Sequence, residues 1–151
     1  MHQKAISYQL KWAEFRKKEV KKTMSHFTRI KTKLVKKEHL LKALQDLGYQ
    51  PIENRVKIRG YGGMTTEVDL MIPTKNPGYD IGFKINKGVF ELVADWYGIH
   101  DIKQNEFLSQ IQQRYNYHTV VDRMQEQGFD IVEEENQEDQ TIHLTLRRMV
   151  F

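Results

Sequence analysis

Asp95, Trp96, Tyr97, His100 and Asp101 crowd two carboxylates, two aromatic rings and an imidazole into one short stretch. A carboxylate and an imidazole that close can share a proton, the minimum equipment for general acid–base work. A strand end leading into a helix, with Asp101 serving the helix N-terminus, calls for the same residue types on purely structural grounds. The structural reading is the stronger one, and Asp95, Trp96 and His100 stand as the candidate polar cluster.

Gly60, Gly62 and Gly63 surround Tyr61 in the densest glycine run of the chain. Successive backbone N–H groups in such a turn could cradle a phosphate. The spacing matches neither the Walker pattern nor the dinucleotide fingerprint, and an alternating, strand-like run follows where both motifs require a helix. A hairpin turn that needs positive φ accounts for the glycines more simply.

Six histidines are present, none four residues from another, and His-Glu-x-x-His does not occur. A helical zinc site is therefore not indicated. His118 falls with Ile111 and Tyr115 on one apolar helical face, which suits a satisfied, partly buried histidine. With no cysteine in the chain, thiol nucleophiles, disulfides and cysteine metal sites are excluded. No catalytic residue, cofactor or metal is assigned from these patterns.

Charge is divided unevenly. Residues 1–37 carry 12 Lys and Arg against 2 Glu, a balance of +10, whereas residues 38–151 carry 12 basic and 18 acidic residues, a balance of −6. Trp12, Phe15, Arg16, Lys17, Lys18, Arg29, Lys31 and Lys33 form the candidate interaction surface of the basic part. Such residues could follow a phosphate backbone while the rings stack on bases. They could equally dock on acidic protein or guard an exposed sheet edge.

These candidates must be positioned by one domain, since 151 residues suffice for a single core. No apolar run approaches the ~20 residues of a membrane span, and a secretory leader is not evident. Glu14, Glu19 and the scarcity of serine argue against a transit peptide. The cytosol or an equivalent stroma is the expected compartment.

The run from Phe27 alternates Thr28, Ile30, Thr32 and Leu34 with Arg29, Lys31 and Lys33, which predicts a half-buried strand. Leu40, Leu41, Leu44 and Leu47 recur at helical spacing before Gly48, predicting a helix over 37–47. Two hairpins follow, one around Gly60–Gly63 and one around Asn86-Lys87-Gly88, divided by the turn Pro73–Gly78. A long second helix over 104–127 with a break at Asn116, then two strands joined by the loop 135–140, complete the chain.

The segment 24–151 thus reads as a single α+β domain: a mainly antiparallel sheet with two helices on one face. Leu-Gly-Tyr at 47–49 and Gln-Gly-Phe at 127–129 each end a helix before a hairpin, which suggests duplicated βαββ units. Residues 1–23 form a basic aromatic extension. Its hydrophobic residues fit a helix, the preferred reading, while alternation of Ile6, Tyr8, Leu10 and Trp12 fits a strand.

Met24-Ser25-His26-Phe27, the helix closing on Leu-Gly-Tyr, the Arg-Gly-Tyr-Gly-Gly turn and Glu91-Leu92-Val93-Ala94-Asp95-Trp96 together resemble the hypothetical chloroplast reading frame thirty-five family. The resemblance covers about residues 24–151 and leaves residues 1–22 outside the pattern. It implies a protein of cyanobacteria or plastids and carries over no catalytic residue.

The expected role is a non-enzymatic protein-binding or assembly factor. A nucleic-acid-binding module using residues 1–37 is the alternative, and a small enzyme with an acid–base pair at Asp95 and His100 stands third.

Overall fold

The computed structural model describes the backbone of residues 5–10 and 20–22, and residues 26–138 and 141–148 with their side chains. Strands β1 (Ala5–Leu10), β2 (Val20–Lys22) and β3 (Thr28–Lys31) precede helix α1 (Lys37–Asp46). Then come β4 (Ile52–Arg59), β5 (Thr65–Pro73), β6 (Asp80–Asn86) and β7 (Val89–Ala94). Helix α2 (Gln104–Glu126) leads to β8 (Phe129–Asn136) and β9 (Ile142–Arg148). Short 3-10 turns occupy Tyr61–Gly63 and Trp96–Gly98. The fold is α+β, as expected.

Among the described residues the strands form two antiparallel sheets where one was expected. The larger has the order β2-β3-β7-β6-β5-β4, and the smaller the order β1-β9-β8. The second hairpin pairs as its alternation predicts, with Ile81 opposite Ala94, Phe83 opposite Leu92 and Ile85 opposite Phe90. The expected duplication is not seen in this layout: the β4–β5 hairpin stays in the sheet that holds β3, while β8 and β9 leave the sheet that holds β7.

Residues 5–10 are a strand paired with β9, Ile6 opposite Leu146 and Tyr8 opposite Leu144, so the preferred helical reading of this segment is corrected. Alternation of apolar residues, which suits a pleat, outweighs the looser helical pattern there. Trp12, Phe15, Arg16, Lys17 and Lys18 lie outside the described residues.

Helices α1 and α2 cover one face of the larger sheet. Ile30, Leu40, Leu44, Leu70, Phe83, Phe90, Leu92, Phe107 and Ile111 belong to its main buried cluster. Helix α2 runs unbroken through Asn116, whose Oδ1 accepts from Gln112 Nε2 at 2.8 Å, one turn earlier. Its 23 residues span about 34 Å. That length reaches past the larger sheet, and Tyr117, Val120, Val121 and Met124 pack instead on Phe129, Ile142, Leu144 and Leu146 of the smaller one. Gly48, just beyond α1, has φ +87°, the left-handed conformation that the helix end requires.

The β4–β5 hairpin also contributes to the opposite face of the larger sheet. Val93, between the inward Leu92 and Ala94, clusters there with Phe27, Ile58 and Val68. Gly82 makes this fit: a Cβ at that position would lie 2.6 Å from Val68 Cγ1. At the free edge of β4, the register slips between Glu53 and Val56, and Asn54 and Arg55 adopt φ of 74° and 47°. Such a bulge interrupts the ladder and blunts an edge strand.

Candidate functional site

The glycine turn and the Asp95 cluster, far apart in the chain, meet at one end of the larger sheet. One residue beyond the Ile81 and Ala94 pair, Asp80 and Asp95 stand at the same end of adjacent strands β6 and β7. Asp80 is 2% exposed and Asp95 1% exposed. Burying a carboxylate is costly unless it is paired or hydrogen-bonded, so the partners of these two matter.

Asp80 grips Arg59 in three ways. The Arg59 amide donates to Oδ2 at 2.9 Å, its Nε to the same oxygen at 3.0 Å, and its Nη2 to Oδ1 at 3.1 Å. This is the bidentate fork that planar guanidinium favours. The bond to Asp80 and its charge raise the pKa of Arg59 above its ordinary value.

Among the described residues Asp95 holds backbone: the Tyr61 amide donates to Oδ2 at 2.9 Å and the Tyr97 amide to Oδ1 at 3.3 Å. Gly60 lets the turn come this close, for a Cβ there would stand 3.0 Å from the Phe27 ring and 3.1 Å from the Asp95 Cβ. Gly62 and Gly63 serve a different need, with φ of 66° and 77° and open space around them.

The consequence is a presented set of aromatic rings. Tyr61 is 51% and Tyr97 75% exposed. Their rings meet edge to face at 6.2 Å, and His26 leans on Tyr61 at 4.8 Å. Tyr79 lies directly against Gly98, since a Cβ there would come 2.1 Å from the Tyr79 ring. Burial chiefly, then the charge of Asp95 and the nearby Tyr97 and Tyr61, push the Tyr79 phenol above its ordinary pKa. Trp96 packs inward against the main cluster.

His100 does not join this arrangement. Its amide donates to Asn76 Oδ1 at 3.3 Å, and among the described residues no hydrogen bond links it to Asp95. Asp101 does not cap α2, whose N-cap is Lys103. Instead it accepts from the Lys75 amide at 3.1 Å and from Asn76 Nδ2. Burial pushes the Asp101 carboxyl up, but these bonds outweigh it and hold the group below the ordinary range. His118 pairs with Asp46 at 2.6 Å, as a satisfied histidine should.

Of the basic candidates, Arg29 faces Glu91 at 3.9 Å, while Lys31 and Lys33 are exposed. Pairing of β2 with β3 sets Lys21 opposite Arg29. Arg59, Tyr61, Tyr79 and Asp80 were not among the sequence candidates. Arg59 precedes the glycine run and Tyr61 lies within it, and that run is the one signal that could have directed attention to them.

Residues 43–145 match a family described as "Protein of unknown function (DUF1257)". The chain belongs to that family. Relatives of this DUF1257 chain called "Uncharacterized protein ycf35" agree with the chloroplast reading-frame resemblance. That of Cyanophora paradoxa is 34% identical over 126 residues, that of Guillardia theta 35% over 128 and that of Pyropia yezoensis 32% over 128. Each match covers 83% of this chain and 98% of the relative. No solved structure matches this DUF1257 chain. Among its described residues, no helix is long and apolar enough to cross a membrane, and no cluster of three or more metal-ligating side chains occurs.

Proposed function

We propose that this protein is a non-enzymatic protein-binding or assembly factor of a plastid stroma or a cyanobacterial cytoplasm, and that Tyr61 and Tyr97 form the centre of its partner surface. One observation carries this reading: two buried carboxylates and a close-fitting glycine are spent on fixing a turn whose most prominent side chains are exposed tyrosines. Tyrosine offers large, rigid contact area at low entropic cost and is enriched at recognition surfaces. Holding it in place beforehand removes part of the ordering cost of binding.

The test is affinity capture from a cyanobacterial or algal extract with the full chain, and with Tyr61→Ser and Tyr97→Ser, each with and without nuclease. A defined protein set retained by the native chain and lost from both variants supports the reading. Capture that is indifferent to both substitutions overturns it.

The nucleic-acid alternative draws on the register that sets Lys21 beside Arg29, next to Lys31 and Lys33 in the same basic segment. It requires affinity that falls steeply with salt and is lost when residues 1–22 are deleted. Acid–base chemistry at Asp95 and His100 has no comparable support, because both Asp95 oxygens already accept backbone amides.

A further inference from the structure

At the end of β6 and β7 the buried charges do not balance. Asp80 is neutralised by Arg59 through the fork described above. Asp95, equally buried, faces no cationic side chain within ion-pair distance among the described residues and is held by two neutral amides. Amides stabilise a carboxylate without cancelling its charge, so among the described residues Asp95 leaves one negative charge without a cationic partner beneath the turn.

Over that field stand three tyrosine rings. Tyr61 and Tyr97 are in edge-to-face contact and exposed, and Tyr79 lies against Gly98 within the same group. An aromatic face is itself the negative part of a ring quadrupole and attracts ammonium and guanidinium groups. His26, against Tyr61, is the other titratable ring of the group.

We propose that Tyr61, Tyr79 and Tyr97, backed by Asp95, form a receptor for the side-chain cation of a lysine or arginine presented by a protein partner. The inference rests on the partner-surface reading and adds the chemistry of the occupant. The carboxylate charge of Asp95 and the clustered tyrosine rings both favour a cation over an acidic or neutral group. Burial chiefly raises the pKa of the Tyr79 phenol, and the Asp95 charge adds to that rise, which places Tyr79 within reach of the same carboxylate.

Tetramethylammonium chloride is the direct probe, titrated into the full chain while the tyrosine ring resonances are followed by NMR, with tert-butanol as a neutral analogue and sodium chloride as a salt control. Saturable shifts confined to Tyr61, Tyr79 and Tyr97 are expected with the ammonium ion alone. Tyr97→Leu should weaken that binding roughly three- to tenfold. Asp95→Asn should weaken it by a similar factor.

A short oligolysine peptide should compete for the site and an oligoglutamate peptide should not. Equal shifts with tert-butanol, undiminished binding in Tyr97→Leu, or competition by both peptides overturns the proposal. Because Tyr97 is 75% exposed, its replacement tests the site without threatening the fold. Partner capture that still depends on Tyr61 and Tyr97 while the ammonium ion fails to bind would refute the cation receptor and leave the protein-binding reading standing.

Discussion

At the tip of the β4–β5 hairpin the carboxylates are buried and each accepts a backbone amide, Asp80 holding the Arg59 side chain as well; along the seam between α1 and α2 they sit at the rim and, among the described residues, grip side chains alone. Asp80 and Asp95 accept the amides of Arg59, Tyr61 and Tyr97. Asp46 instead takes Arg114 at 2.9 Å and His118 at 2.6 Å, and Asp122 takes His39 at 2.7 Å. A carboxylate bound to backbone fixes where a turn lies, with no side-chain freedom between anchor and surface. One bound to a long side chain at the rim mainly sets helix register and is partly screened by water. The hairpin tip is therefore expected to be the intolerant region, and the seam the tolerant one.

The sharpest attempt to break that contrast is Gly82→Ala. The new Cβ would stand 2.6, 2.8 and 2.9 Å from three atoms of one Val68 side chain, so the hairpin must lift from the sheet. Overpacking of this kind costs about 3 kcal/mol, which denaturant unfolding would register as a lower midpoint. A cost near zero would mean that the hairpin is free to move and that the tip is not a fixed platform.

Asp95→Ala comes next. It strips the acceptor from two amides, one on each of the two turns that present Tyr61 and Tyr97. One good hydrogen bond to a charged group contributes about 1.5–3 kcal/mol, and the Tyr97 bond at 3.3 Å is long and adds little to that of Tyr61, so a loss of roughly 2 kcal/mol is expected. Asp95→Asn keeps one acceptor oxygen and should lose about half as much. Parity of the two variants would show that the carboxylate matters for its charge and not for its two bonds.

On the seam side, Tyr115→Phe removes the hydroxyl that accepts the Val35 amide at 3.1 Å and the Lys36 amide at 2.9 Å just before α1. Helix N-termini leave unsatisfied N–H groups, and here another helix supplies the acceptor. About 1 kcal/mol is expected, a melting-point loss of about 3 °C for a chain of this size. A loss as large as that of Asp95→Ala would erase the distinction between the regions.

Much of this architecture was legible from periodicity. Leu40 and Leu44 at helical spacing, and Ile81, Phe83 and Ile85 against Phe90, Leu92 and Ala94, specify elements because burial acts residue by residue along each one. The division into two sheets was not legible, because β8 and β9 alternate just as a strand of the larger sheet would. What separates them is the reach of α2, a tertiary quantity. Pairings between distant residues escaped for the same reason. Asp95 could be singled out, but its true partner is the amide of Tyr61, 34 positions earlier, and not the nearby His100. Arg59 and Asp80 carry no local sign of each other at all.

The smallest expected effect is at Asp122, and its pH dependence shows why the seam is the tolerant region. The hydrogen bond from His39 lowers the Asp122 pKa below 3.8, opposed by burial and aided by the charges of Lys42, His39 and His118. A carboxyl whose folded pKa lies below its unfolded value stabilises the fold above the unfolded pKa of about 3.9 and loses that contribution as pH falls through the folded value. Asp122 is 37% exposed at its side chain, so screening limits the pair to a few tenths of a kcal/mol, the usual worth of a rim ion pair. Melting curves of the native chain and Asp122→Asn should then differ slightly at pH 7 and converge below about pH 4. A gap that persists in acid would mean that the charge at Asp122 is not what joins the helices, and that buried His39 holds the seam through Thr119, 3.1 Å from its Nδ1.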